Sequence, residues 1–285
     1  MSYIKHMGDY YRLTKPGIVY GNALTAVAAF VFASKGAVNA GVLGAMLCGL
    51  MFSIASACVI NNILDRDIDV HMERTKERAL PTGRISVQSA ATFAIVLFCI
   101  GSSLLYFFVN LLALLVTLFG VGVYLLVYTP LKRKTIHSTI IGALAGAVPP
   151  VVGYVGVTNA FDTTSLLLFL ILICWQMTHF LAIAIFRVEE YRSAQIPVMS
   201  VRVGMFRSKV IMIVYAFLFS FALSVLILVN QLGLVFTIPL GILALGWIVL
   251  SLQGLTTTND TRWAKQLFFY SIAVLMVFSL LLALS

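Results

Sequence analysis

The sequence predicts an all-α polytopic membrane protein, with nine transmembrane helices around a central cavity that opens to the cytoplasmic side. Three observations carry that expectation. Hydrophobic residues make up 61% of the 285 and charged residues only 10%, with a mean hydropathy of +1.04; soluble proteins carry about 25% charged residues. Nine apolar segments are each long enough to cross a hydrocarbon core of about 30 Å. The charges between them fall almost entirely on one side.

The expected spans are 17–34, 40–63, 88–109, 111–129, 138–158, 164–186, 209–229, 232–251 and 264–284. All should be helical, because an open chain in lipid must satisfy its backbone polar groups within the segment. The first follows Lys5, Arg12 and Lys15 as a signal peptide would. It is too long for an h-region and lacks a small-x-small cleavage site, so it reads as a span. Gly142, Gly146, Pro149 and Pro150 in the fifth suit close helix packing and a kink.

An odd number of spans puts the termini on opposite sides. The basic residues lie before the first span (Lys5, Arg12, Lys15), after the second (Arg66, Arg74, Lys76, Arg78, Arg84) and after the fourth (Lys132, Arg133, Lys134). The rest lie after the sixth (Arg187, Arg192, Arg202, Arg207, Lys209) and the eighth (Arg262, Lys265). Only Lys35 falls on the other side. By the positive-inside rule the N-terminus is cytoplasmic and the C-terminus periplasmic, and residues 1–285 form one intramembrane domain. Of the acidic residues, Asp162 alone is outside. The net charge of +9 is spread over short loops, which excludes a nucleic-acid patch. Cys48, Cys58, Cys99 and Cys174 sit in apolar runs without CxxC spacing and read as packing residues.

One polar stretch stands out, Asn61 to Arg84. It follows the uncharged run Leu47 to Ile60 and mixes Asp65, Asp67, Asp69, Glu73 and Glu77 with Arg66, Arg74, Lys76, Arg78 and Arg84. If the second helix continues through it, Asn61, Asp65 and Asp69 at i, i+4 and i+8 line one stripe, with Asp67 on the other side. Such a row suits Mg²⁺, which is usually held by one or two carboxylates together with substrate phosphates. The basic residues beyond could bind the rest of a diphosphate. A solvated loop would account for the Lys and Arg, but not for the acidic stripe. A second stretch, His179 to Gly204, echoes the first: acidic residues (Glu189, Glu190), then basic ones, then Pro197 where the first has Pro81. Two acidic clusters on one cavity would suit a two-metal diphosphate site.

N-x-x-x-D-x-x-x-D at the end of the second helix resembles the first aspartate-rich motif of intramembrane prenyltransferases of the UbiA superfamily. LTKPGI (Leu13–Ile18), DRDIDVHMERTKERALPTG (Asp65–Gly83), YTPLKRKT with IGALAGAVPPVVGY (Tyr128–Tyr154) and WQMTHFLAIAIFRVEEY (Trp175–Tyr191) narrow the resemblance to its haem-farnesylating branch. The likeness runs from about residue 10 to 210; the last three helices add only hydrophobicity. The resemblance implies Mg²⁺-dependent transfer of farnesyl from farnesyl diphosphate to a vinyl group of haem B, giving haem O, in a bacterial inner membrane. Haem is then substrate, and a haem–copper oxidase assembly or haem A synthase is an implied partner.

By the same resemblance Asn61, Asp65 and Asp69 are metal ligands. Arg74, Arg78 and Lys132 bind diphosphate, with Tyr128, Arg133 and Lys15 as further candidates. The second motif departs from the D-x-x-x-D of many relatives. Glu190 is its candidate ligand for a second metal, and Arg187 is a candidate for contact with diphosphate or a haem propionate. His179, about 12 Å deeper than Arg187, is the candidate haem ligand, since an ionisable residue inside a span is functional by default and imidazole ligates haem iron; a hydrogen bond between helices is the other reading. His137 is a second candidate and His71 a poor one. Trp175, Phe180, Phe186 and Tyr124 could line a prenyl tunnel or simply pack. The rivals are a related enzyme acting on a quinone precursor or chlorin, and an ion-coupled transporter. The acidic residues at helix ends argue against a transporter, whose sites lie near the midplane.

Overall fold

The structure is a computed structural model that describes residues 2–285 apart from His71 and Arg74, with side chains from Met7 onward. The elements in order are α1 (Ser2–Leu13), α2 (Pro16–Ala33), α3 (Ala40–Asp69), α4 (Val87–Phe108) and α5 (Leu111–Gly122). A π-helical turn (Val123–Tyr128) and the short α6 (Thr129–Leu131) continue α5. There follow α7 (Ser138–Gly146), α8 (Val148–Thr158), α9 (Thr163–Phe186), α10 (Val188–Ser193), α11 (Met199–Arg202), α12 (Met205–Asn230), α13 (Leu234–Gln253) and α14 (Asp260–Leu284). Among the described residues nine helical segments are long and apolar enough to span a membrane. They match the nine expected spans, and the chain is an integral membrane protein.

The starts of these helices are written in the sequence. Asn39, Ser86, Asn110, Asp162 and Asn259 each accept a backbone N–H of the helix that follows, satisfying donors that a helix N-terminus leaves open. Asp162 and Ser165 do so reciprocally, as a capping box. Two spans are not simple rods. The fifth breaks at Ala147, just before Pro149 and Pro150, where ring nitrogens cannot continue the hydrogen-bond ladder. The fourth widens into the π turn ahead of Pro130. There Thr129 Oγ1 donates to Tyr124 O at 2.8 Å, and Tyr124 and Tyr128 stack with centroids 5.4 Å apart.

The principal departure from the expected spans is α3. It does not end near residue 63 but runs 30 residues to Asp69, about 45 Å at 1.5 Å per residue. Its last two turns therefore carry the Asn/Asp stripe past the apolar run without losing helical register. Likewise α12 and α14 begin four residues earlier than their apolar runs suggest, because polar residues at a membrane edge stay helical when a tertiary partner holds them. Lys209 Nζ donates to Asp260 Oδ1 at 2.5 Å and ties those two starts together.

α9 runs through the centre, packing on α7, α8, α12 and α14. Small residues set the tightest approaches, as is usual where helices associate without a hydrophobic drive. Gly49 and Gly101 face each other across α3 and α4, and a Cβ on Gly153 of α8 would run into the Ala26 carbonyl of α2. We expect Gly153→Val to push these helices apart and cost roughly 1–3 kcal/mol, read as a lower melting temperature of the detergent-purified protein. An unchanged melting temperature would show that α2 and α8 can separate freely.

Candidate active site

The end of α3 gathers groups from four parts of the chain. Asp65 and Asp69 lie one turn apart on its inward face, and the side chain of Asp65 is 7% exposed against 64% for Asp67. Lys132, just after α6, pairs with Asp65 Oδ2. Arg78 Nη1 donates to Asp69 Oδ2 at 2.8 Å. Lys15 Nζ donates to Asn61 Oδ1 at 2.5 Å, and Asn61 Nδ2 donates to Thr129 Oγ1 at 3.1 Å. Asn61, Asp65, Asp69, Lys15, Arg78 and Lys132 thus form one inner cluster. Lys15 is held there by a left-handed backbone (φ 52°) immediately before Pro16, a conformation that an L-residue adopts at a cost. Burial pushes its ammonium down to about 8, helped by Arg78 and Lys132 and opposed by Cys58 and Asp65. Burial lowers Lys132 as well, against the pull of Asp65.

Asp65 Oδ1 is buried with no hydrogen-bond partner, although Arg133 Nη2 forms a longer ion pair with it at 3.6 Å. A buried carboxylate oxygen in that state is poorly satisfied, and the donor set around it (two carboxylates and a carboxamide) suits a hard cation. Among the described residues no three His, Cys, Asp or Glu side chains converge on one point, so Glu190 does not join Asp65 and Asp69 as a third carboxylate.

The other expected residues are distributed less uniformly. Arg133 turns outward, bonding both Asp67 oxygens at 2.7 and 2.8 Å and the Leu64 carbonyl. That pairing holds its already high basicity up further. Arg187 pairs with Glu190 at 3.1 Å and Arg192 with Glu189 at 2.6 Å, each within one turn of helix. His137 is exposed at the start of α7. Arg74 and His71 lie outside the described residues.

Just inside the cluster a cavity of about 420 Å³ opens between α2, α3, α5, the π turn, α7, α8 and α9, within the roughly 300–1,000 Å³ usual for ligand pockets. It starts at Cys58, one turn before Asn61, and reaches Leu50, about 12 Å further along α3. Tyr124, Tyr128, Trp175, Phe180 and His179 line it, as does Gln176; Phe186 packs on Phe268 instead. His179 stacks on the Trp175 and Phe268 rings, with Nδ1 2.7 Å from Ser271 Oγ of α14. It is therefore both bonded between helices and placed on the cavity wall.

Two supporting residues were not visible in the sequence. Asn62, beside the stripe, donates to the Leu13 carbonyl at 2.8 Å and accepts from Arg78 at 3.2 Å, joining the α1–α2 corner to the loop. Asp9 accepts from Arg84 at 2.9 and 3.3 Å while Arg84 also donates to the Glu77 carbonyl. A capping-type Asn and an acidic residue in an amphipathic N-terminal helix were the only signals available.

Residues 22–273 match the model of the UbiA prenyltransferase family, and the chain belongs to that family. It is 40% identical over 274 residues to the protoheme IX farnesyltransferase of Protochlamydia amoebophila, covering 95% of this chain and 96% of that protein. Two solved structures share the fold. One, from work on digeranylgeranylglyceryl phosphate synthase, has a TM-score of 0.83 at 17% identity and covers 98% of each chain. The other, a UbiA homologue from Archaeoglobus fulgidus bound to DMAPP and Mg²⁺, has a TM-score of 0.67 at 16% identity and covers 94% of this chain and 99% of that one.

Because Arg84 fastens both α1 and the loop that carries Arg78, Arg84→Ala should loosen them together. The expected result is faster amide hydrogen exchange over residues 7–13 and 77–86, with the spans unaffected; unchanged exchange in both stretches would show that the apolar contacts hold them unaided.

Proposed function

We propose that this chain transfers the farnesyl group of farnesyl diphosphate to a vinyl group of haem B, releasing diphosphate and giving haem O. The observation that carries this reading is a buried acid–base cluster set directly over an apolar cavity with an imidazole in its wall. The 40% identity to a protoheme IX farnesyltransferase supports it. The charge distribution along the sequence supports a cytoplasmic N-terminus, a periplasmic C-terminus and a cavity that opens to the cytoplasm. The bacterial relative supports a bacterial inner membrane as its location.

In the reaction, the allylic C–O bond breaks with its electron pair going to diphosphate. The vinyl π electrons form the new C–C bond, and water adds to the resulting cation and loses a proton. Asn61, Asp65 and Asp69 would hold Mg²⁺, which supplies positive charge to the diphosphate. Lys132, Lys15 and Arg78, with Arg74 on the same loop, would bind its oxygens. Tyr128 would border them, its ring 5.8 Å from Lys132 Nζ. These donors are held in place before the charge develops, so they stabilise the leaving group most in the transition state. The apolar wall keeps water from the allylic cation until the vinyl carbon attacks. His179 would ligate the haem iron, and Arg187, three residues from its partner Glu190, would take a haem propionate. Arg133, occupied by Asp67, would attract diphosphate at longer range.

Haem extracted from membranes overexpressing the protein should include a species heavier than haem B by a farnesyl group plus water. Asp65→Ala and Asp69→Ala should each insert normally and abolish that species. Its presence at wild-type level in either variant would sink the metal assignment. A well-inserted wild type that makes no new haem, with both substrates supplied, would redirect the fold to quinone-type acceptors. His179→Ala should weaken haem binding at least tenfold, since losing even an outer-shell partner of a metal-binding histidine costs about 10–100-fold, and leave prenyl diphosphate affinity within about twofold; equal losses would mean that the ring only packs.

A further inference from the structure

His179 reaches α14 through a single hydroxyl, and that hydroxyl has its proton committed elsewhere. Ser271 Oγ donates to the Phe268 carbonyl at 2.6 Å. A serine hydroxyl has one proton to donate and lone pairs to accept with. A hydroxyl that spends its proton on that carbonyl accepts from His179 Nδ1, 2.7 Å away. With the Ser271 proton on the Phe268 carbonyl, the His179 proton is on Nδ1, and in a neutral imidazole that leaves Nε2 as a bare lone pair. Nε2 has no hydrogen-bond partner among the described residues, and the residue lines the cavity.

The same serine also fixes the ring's neighbour. Trp175 Nε1 donates to the Ser271 backbone carbonyl at 2.7 Å, and Trp175 stacks on His179 with centroids 4.7 Å apart and planes at 18°. Phe268, one turn before Ser271, also stacks on His179, at 4.8 Å and 30°. Ring tilt, ring position and tautomer are thus all set from one turn of α14.

We infer that Ser271 is a positioning residue that holds His179 in its Nδ1–H tautomer and presents Nε2 to the iron of the porphyrin substrate. This rests on the reading of His179 as the iron ligand. Histidines that bind metals almost always donate their other N–H to an oxygen, which fixes the tautomer and raises ligand basicity. Here a hydroxyl, itself polarised by a helix carbonyl, fills that role.

Two measurements on the full-length protein in detergent separate the parts of the inference. Ring-¹⁵N histidine NMR without haem, with the His179 signal identified by its loss in His179→Gln, reads the tautomer directly. The wild type should show a protonated Nδ1 and an unprotonated Nε2, Ser271→Ala should lose that preference, and Ser271→Thr should keep it. A wild-type ring protonated at Nε2, or a tautomer unchanged in Ser271→Ala, would overturn the inference. Optical titration with haem B then tests what the tautomer is for. Ser271→Ala should bind haem about 10–100-fold more weakly with an altered Soret band, and Ser271→Thr should restore both; a wild-type titration in Ser271→Ala overturns the positioning role. If His179→Gln retains the wild-type haem spectrum, the iron-ligand reading fails and takes the presentation to iron with it, while the NMR result still decides whether Ser271 sets the tautomer.

Discussion

The constraint on which this structure depends is that charges withdrawn from water must be partnered. Asp65 and Asp69 are buried at the end of an apolar bundle, and removing one member of a buried pair costs about 3–5 kcal/mol. That cost decides what surrounds them. Lys132 must be delivered by the end of the fourth span, Arg78 by the loop after α3, and Lys15 by the corner between α1 and α2. The π turn follows from the same demand. It gives Thr129 a hydroxyl position from which to accept from Asn61 and donate to Tyr124, so the widened turn and the metal-type stripe are one hydrogen-bonded unit.

A cluster assembled from distant segments needs something apolar to hold them together. That is the work of a small second core, separate from the main one, in which Leu13, Val59, Ala79, Leu80, Ile85, Ala90 and Ala94 are buried together. It seals the loop after α3 against α3 and α4, and it seals the end of α1 against both. At about 25 cal/mol per Å² of apolar surface, a handful of such side chains is enough to order a short loop. Arg78 is therefore held in place beside Asn62 and Asp69, and a ligand bound there would cost little further ordering entropy.

Much of this was legible in the sequence because two periodic constraints are strict. Bilayer thickness fixes the length of an apolar helix, so nine spans could be counted. The helical period fixes which side chains share a face, so Asn61, Asp65 and Asp69 could be put on one stripe and Asp67 off it. What stayed hidden depends on the meeting of distant segments. Lys132 and Arg133 are adjacent in sequence, yet one turns in to Asp65 and the other out to Asp67, a choice made by how α6 ends. Asn62 looks like any polar residue at a helix end until Leu13 and Arg78 meet it. The ninth span read as plain hydrophobicity, although Phe268 and Ser271 frame the imidazole; one serine in an apolar helix has no signature until its neighbour is known.

Charge balance gives a physical reason for the proposed chemistry to run at this cluster. Lys15, Arg78 and Lys132 set against Asp65 and Asp69 leave the inner group with an excess of one positive charge. Burial already disfavours the charged forms of both lysines, so the cluster is poised to take an anion. One divalent cation on the Asp65 oxygen that lacks a hydrogen bond would raise the excess to three, the charge that a fully ionised allylic diphosphate brings. The complex would then be neutral in a region where net charge is expensive. As the C–O bond breaks, the added negative charge grows on the diphosphate, beside donors fixed by the fold. The allylic cation would form on the other side, toward the cavity lined by Tyr124, Tyr128 and Trp175, aromatic rings of the kind that attract positive charge. Separating the two charges across the boundary between the cluster and the cavity is what the arrangement of α3, the π turn and α9 is suited to do.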